Sequence, residues 1–273
     1  MKKTKRDYTV AVVVRSFAIL AALARGGREM GVLELSKVVK IHVSTVYRLL
    51  STLMKRGFVD QNPETEKYRL GIRLFELGIV RVRQLDYRNV ALPRLRALRD
   101  EFEETVFLGM LRGDEVLIID SFSQPRGIVF GSQIGAGEPL YCTGIGKALL
   151  ANLRPEQRDA LLKELKLQRF TPKTLTSRSE LRRELELIRT RGYSIDDEEI
   201  VSGVKCVAAP VLGGNGYAVA AFSVAGPADR VAGRIRQIAA RVTEVSREIS
   251  RELQSAGSDA PVARAPARRP ARA

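Results

Sequence analysis

The sequence is short of the residues that most often do chemistry. Its 273 residues include one histidine, His42, two cysteines, Cys142 and Cys206, and no tryptophan. Two cysteines exclude a disulfide scaffold, and with one histidine they argue against a Cys/His zinc site, so no metal is expected. The lone histidine also argues against most His-dependent catalysis. A His–Ser or His–Cys dyad stays open on count alone, but His42 lies beside a segment read below as DNA-reading and suits neither. Long apolar runs are missing too. None approaches the ~18–20 residues needed to cross a bilayer, and no membrane partner is expected. The N-terminus, MKKTKRDYTVAVVV, starts like a secretory leader, but Arg15 cuts the apolar stretch short and no A-x-A-like cleavage site follows. The expected address is cytoplasmic.

What is present is a core and a lopsided charge. Hydrophobic residues make up 45% of the chain, enough for two modest domains or one large one. The net charge is +15, and residues 1–90 carry most of it, with 18 Lys/Arg against 8 Asp/Glu. Residues 91–254 are nearly balanced at 24 against 22, and the tail 255–273 has 4 against 1. A basic N-terminal third on a nearly neutral body is the electrostatic footprint of a polyanion binder.

Periodicity gives the basic third a shape. Residues 13–25 set Val13, Phe17, Leu20 and Ala24 at helical spacing, and Gly26–Gly27 stop the helix. In LELSKVVK, Leu35, Val38 and Val39 share a face. After the short turn IHVS, a helix places Val46, Leu49, Leu50 and Leu53 at i, i+3, i+4 and i+7 and ends at Gly57. FVDQ then reads as a strand, NPET as a turn and EKYRLG as a returning strand. Three helices and a hairpin make a winged helix-turn-helix over residues 8–70. In that motif the start of the second helix of the pair faces base edges. Its exposed set is Ser44, Thr45, Tyr47, Arg48, Ser51, Thr52 and Lys55. Short hydroxyls allow close approach, Arg48 can fork onto a guanine, and Tyr47 can reach backbone or a thymine methyl. On the wing, Lys67 and Arg69 flank Tyr68 and alternate onto one face. Double-stranded DNA is the expected partner.

Residues 71–90 read as a linker helix whose apolar stripe needs a partner, such as another subunit. From 91 to 254 the pattern is mixed: helix 93–104, strands TVFLGML and VLIIDSF, GIVFGSQIG, helices GIGKALLANL, PEQRDALLKEL and SRSELRRELELIRTRG, strands YSIDDEE, VKCVAAPVL and YAVAAFSVAG, and a final helix over 229–253. This is an α+β sensor-like domain. The tail 255–273, rich in Pro, Ala and Arg, is expected to be disordered.

In order along the chain, VSTVYRLLSTLMKRGFV, KYRLGIRLFELG, PLYCTGIGKALLA, RGYSIDDEE, GVKCVAAPV and AAFSVAGPADR resemble the IclR family of bacterial transcriptional regulators, over residues 8–253. The resemblance implies a winged helix domain, a linker helix and a GAF-like effector-binding domain. It also implies dimers or tetramers on a pseudopalindromic operator, modulated by a small organic acid. Carried over by motif, the effector pocket includes Gly144, Ile145, Asp196, Cys206 and Ser223, with Ile128 and Phe130 as apolar lining. Free N–H groups at Gly144 suit a carboxylate, Ser223 brings a hydroxyl, Cys206 a small soft wall or weak donor, and Asp196 an acceptor or an ordering group. Three positions depart from the family pattern. Ala225 replaces a second serine and Ile145 adds bulk, which together imply a less polar effector. Val43 stands where many relatives carry lysine, which removes one phosphate contact.

Two rival readings are weaker. GIGK resembles a phosphate loop, but Tyr141 and Ala148 replace the glycine and the hydroxyl residue that the loop needs. No nucleophile elbow, zincin or dinucleotide fingerprint appears, so no catalytic residue and no cofactor is expected. A sequence-nonspecific architectural DNA binder has little use for glycine-rich turns converging with polar groups.

Overall fold

The structure is a computed structural model that describes residues 9–123 and 133–256. The chain divides into two compact units, Met1–Gln84 and Leu85–Ala273.

In the first unit, α1 (Ala11–Gly26), α2 (Val32–Val39) and α3 (Val43–Lys55) precede the antiparallel hairpin of β1 (Val59–Gln61) and β2 (Tyr68–Leu70). Gly27, at φ 60°, takes the left-handed conformation that ends α1. Val46, Leu49 and Leu50 of α3 meet Leu35 of α2, Ile19, Ala22 and Leu23 of α1, and Tyr68 of the hairpin. Met30 adds a short bridge, exchanging backbone hydrogen bonds of 2.9 Å with Tyr68 in both directions. The wing leaves the body at Gly71, where an added Cβ would lie 2.2 Å from the Gly57 carbonyl oxygen. Only glycine permits that backbone crossing.

Two expectations about faces need correction. Val13 and Phe17 of α1 are exposed, as is Ala24, and the buried stripe is Ile19, Ala22 and Leu23. The helix is apolar nearly all round, so spacing alone did not select a face. Val38 of α2 is also exposed, beside a buried Leu35. The single linker helix over 71–90 is in fact two. Helix α4 (Arg73–Arg83) stops at Gln84, and α5 (Asp86–Phe102) starts after Leu85 and absorbs the expected helix 93–104.

The second unit is built on a six-stranded antiparallel sheet in the order β5-β4-β3-β8-β7-β6. Its strands are β3 (Thr105–Arg112), β4 (Glu115–Phe122), β5 (Gly137–Pro139), β6 (Ser194–Asp197), β7 (Val204–Leu212) and β8 (Ala218–Pro227). Alternation divides it cleanly. Ala220, Phe222 and Val224 of β8 face α5, α9 (Ala228–Ala232) and α10 (Ile235–Ser255). Ala221 and Ala225 face the other layer, α6 (Gly144–Ala151), α7 (Pro155–Glu164) and α8 (Arg178–Arg191). The final helix expected over 229–253 is therefore α9 and α10, separated at Gly233–Arg234. Ile128, Phe130 and the tail from residue 257 lie outside the described residues.

Candidate DNA-binding and effector-binding sites

On α3, the helix that packs through Val46, Leu49 and Leu50 turns the opposite stripe outward. Ser44, Tyr47, Arg48, Thr52 and Lys55 are exposed, and Thr45 and Ser51 are half-buried at its margin. The stripe runs the length of the helix because its members recur at three- and four-residue intervals. Thr52 donates its hydroxyl proton to the Arg48 carbonyl at 3.0 Å, leaving lone pairs outward. His42 is the N-cap, and its ring accepts from the Ser44 N–H.

On the wing, Tyr68 is buried while Lys67 and Arg69 are exposed on either side of it. Sequence reasoning missed Glu29, which holds this hairpin to the body. Its carboxylate accepts from Asn62 Nδ2 at 2.9 and 3.1 Å and from Thr65 Oγ1 at 3.1 Å. It also pairs with Arg69 Nη1 at 3.4 Å. These partners lie far away in sequence, and no local pattern announces them.

In the second unit, the register gathers most of the residues named for the effector pocket. Asp196 on β6 lies opposite Cys206 on β7, and Cys206 lies opposite Ala225 on β8. Ser223 sits two pairs along, opposite Ala208 and Phe107. All of these share the face that α6 covers. Gly144 opens α6 directly over Cys206, where an added Cβ would lie 2.5 Å from the Cys206 sulfur and 3.2 Å from Ala208 Cβ. Thr143 caps the helix by accepting from the Gly146 N–H at 3.1 Å. Ser194 Oγ fastens its start to the sheet through the Gly144 carbonyl at 2.6 Å. Ile145 is buried in the same turn.

Three polar groups are buried here. Ser223 is 2% exposed. Asp196, 5% exposed, accepts one bond, from the Glu199 N–H to Oδ1 at 2.8 Å. Glu199 Oε2 has no partner among the described residues.

The acidic run 196–199 divides by side. Asp197 and Glu198 face Lys173, at 3.3 and 2.6 Å, while Asp196 and Glu199 turn inward. Burial, with the Glu199 charge adding to it, pushes the Asp196 carboxyl up to about 7 despite the N–H it accepts. Burial raises Glu199 as well, against the pull of the Lys147 ammonium paired with it. Lys147 was not foreseen as part of this cluster. It is the one charged residue in GIGKALLA, and it is 1% exposed. Burial also raises both cysteine thiols well above their ordinary range, which keeps them neutral. Among the described residues, no group of three or more His, Cys, Asp or Glu could hold a metal ion, and no helix is long and apolar enough to cross a membrane.

A winged helix with a polar reading face, joined to an α+β unit with spare polar groups inside, defines a DNA-binding transcriptional regulator. The chain belongs to the IclR family: residues 12–63 match the IclR helix-turn-helix domain, and residues 80–251 match the bacterial transcriptional regulator IclR C-terminal domain. It is 35% identical over 250 residues to the HTH-type transcriptional regulator KdgR of Escherichia coli K12, covering 91% of this chain and 95% of that one. The crystal structure of the Thermotoga maritima IclR is similar with a TM-score of 0.73 and 33% identity, over 89% of this chain and 98% of that one. An IclR homolog from Microbacterium hydrocarbonoxydans, solved with 4-hydroxybenzoate, shares the fold with a TM-score of 0.81 at 24% identity, over 90% and 100% of the two chains.

Proposed function

We propose that this regulator's hold on its operator is set by a small carboxylic acid bound at Asp196 and Ser223, beside the first turn of α6. The observation that carries this is the convergence of Asp196, Ser223 and the first turn of α6, with polar capacity that the protein itself leaves unused. Buried polar groups without partners are costly, and a ligand that satisfied them would recover that cost. The Ile145 N–H in the first turn of α6 suits a carboxylate, the Gly144 N–H being directed at the Cys206 sulfur, and Asp196 suits a hydroxyl donor. The relative solved with 4-hydroxybenzoate lends support, since that compound carries both groups. Ala225 and Ile145 favour an effector less polar than the smallest keto acids.

On the DNA side the proposed contacts are Ser44, Thr45, Tyr47, Arg48, Ser51, Thr52 and Lys55 on α3, and Lys67 and Arg69 on the wing. A homodimer, alone or paired into a tetramer, is supported by apolar side chains left bare on the first unit. Phe17 on α1 and Ile72, Phe75 and Val80 in and before α4 are each more than half exposed. Paired recognition helices about one DNA turn apart would read a pseudopalindromic operator. The protein would act in the cytoplasm, without catalysis and without a cofactor.

The test is binding to the DNA upstream of its own gene against scrambled DNA, repeated with a panel of organic acids. A preference of about 10³-fold or more, shifted by one acid, supports the reading. Tight binding with no preference and no response to any acid supports an architectural binder instead.

A further inference from the structure

The only histidine of the chain stands at the head of the recognition helix, and its contacts with Ser44 engage one ring nitrogen, Nδ1. The Ser44 backbone N–H points at His42 Nδ1, at 3.4 Å. A backbone N–H can only donate, so this contact favours the tautomer whose Nδ1 carries no proton, while the 2.8 Å approach of the Ser44 hydroxyl fits either tautomer. With Nδ1 bare, that hydroxyl is a donor as well, and its own proton is committed. In that tautomer the proton of the neutral ring sits on Nε2. That N–H, on the far side of an exposed residue, has no partner among the described residues.

We propose that His42 is itself a DNA contact, its Nε2–H donating to a backbone phosphate beside the reading face of α3. Three observations favour phosphate over a base edge. The ring sits at the N-cap, before the stripe of Tyr47, Arg48, Thr52 and Lys55 that faces outward. The next residue is Val43, whose side chain offers a phosphate nothing. Ser44, whose short hydroxyl would otherwise be the nearest donor, gives its proton to the ring in this tautomer. His42 thus does two jobs with two nitrogens, ordering the helix start with one and gripping backbone with the other. The inference rests on α3 being the helix that faces DNA.

Because the histidine is unique, its ring can be observed without ambiguity. Full-length protein labelled with ¹⁵N-histidine should show, in mildly alkaline buffer, the tautomer protonated on Nε2. Saturation with a scrambled duplex two helical turns long should shift the Nε2 resonance. A ring protonated on Nδ1, or an Nε2 signal unmoved at saturation, overturns the proposal. As a second arm, His42→Thr keeps a hydroxyl cap of the kind helices accept but nothing that reaches past it. It should weaken scrambled and upstream duplexes alike, by roughly tenfold. The salt dependence should not change, because a neutral donor releases no counterion. Unchanged affinity in H42T while Arg48→Ala weakens binding would sink the His42 contact and leave α3 in place. Unchanged affinity in both would sink the two together.

Discussion

The Lys147 ammonium is sealed against the Glu199 carboxylate beneath the first turn of α6, with both side chains almost wholly out of solvent. Two charges in such a place depend on each other, because either alone would be buried without compensation. Lys147→Met should therefore cost about 3–5 kcal/mol, whereas Lys147→Met with Glu199→Leu should recover most of that loss. Urea denaturation of the three proteins gives the coupling directly. Additive losses would mean that the pair does not act as a unit.

Asp196 makes stability depend on pH in an unusual direction. An ordinary unfolded aspartate titrates near 4, while burial holds the folded carboxyl at about 7. Between those values the folded state keeps a proton that the unfolded state has released. Stability must then fall as pH rises through that window and level off above it, by up to roughly 4 kcal/mol in all. Asp196→Asn should flatten the fall and be the more stable protein on the alkaline side. Denaturation midpoints across the window measure this, and parallel curves for the two proteins would refute it.

Gly144 has no room for a methyl group, since Cys206 Sγ and Ala208 Cβ already occupy the space. Gly144→Ala should destabilise the second unit by about 1–3 kcal/mol and weaken effector binding with it. Adding Cys206→Ala removes the nearer obstacle and should restore part of the stability. A thermal melt of single and double variants reads the coupling, and no recovery in the double would place the clash elsewhere.

The proposed DNA contacts should divide by role. Arg48→Ala should cost about 1–3 kcal/mol at one base position and relax preference there. Lys67→Ala should weaken all sequences alike and lower the salt slope by about one. Equal losses from both on every sequence would contradict the division.

The winged helix was legible because its core positions recur at fixed intervals and its turns carry glycine, as at Gly27 and Gly57. The sheet was legible because apolar runs such as VKCVAAPVL suit strands covered on both faces. The face of α1 was not, since nearly every position of VVVRSFAILAALA could be core, and only the neighbours decide. Neither the break at Gln84–Leu85 nor the one at Gly233–Arg234 carries a proline or a turn cluster strong enough to interrupt a helical reading. Motif resemblance named Asp196, Cys206 and Ser223, and adjacent strands bring them onto one face. It did not find the Lys147–Glu199 pair or the Glu29 clamp. Each of those joins segments that meet only once the chain has folded.

The seam between β3 and β8 has a consequence for the birth of the protein. Hairpins β3–β4 and β7–β8 are local, but the seam pairs Thr105 with Ala225, so the sheet cannot close until the last strand has been synthesised. Non-local pairing of this kind is slow as well as late. The first unit needs nothing beyond Gln84 for its core, and domains of a nascent chain fold from the N-terminus as they emerge. The core of the first unit is therefore complete in sequence well before the sheet of the second can close.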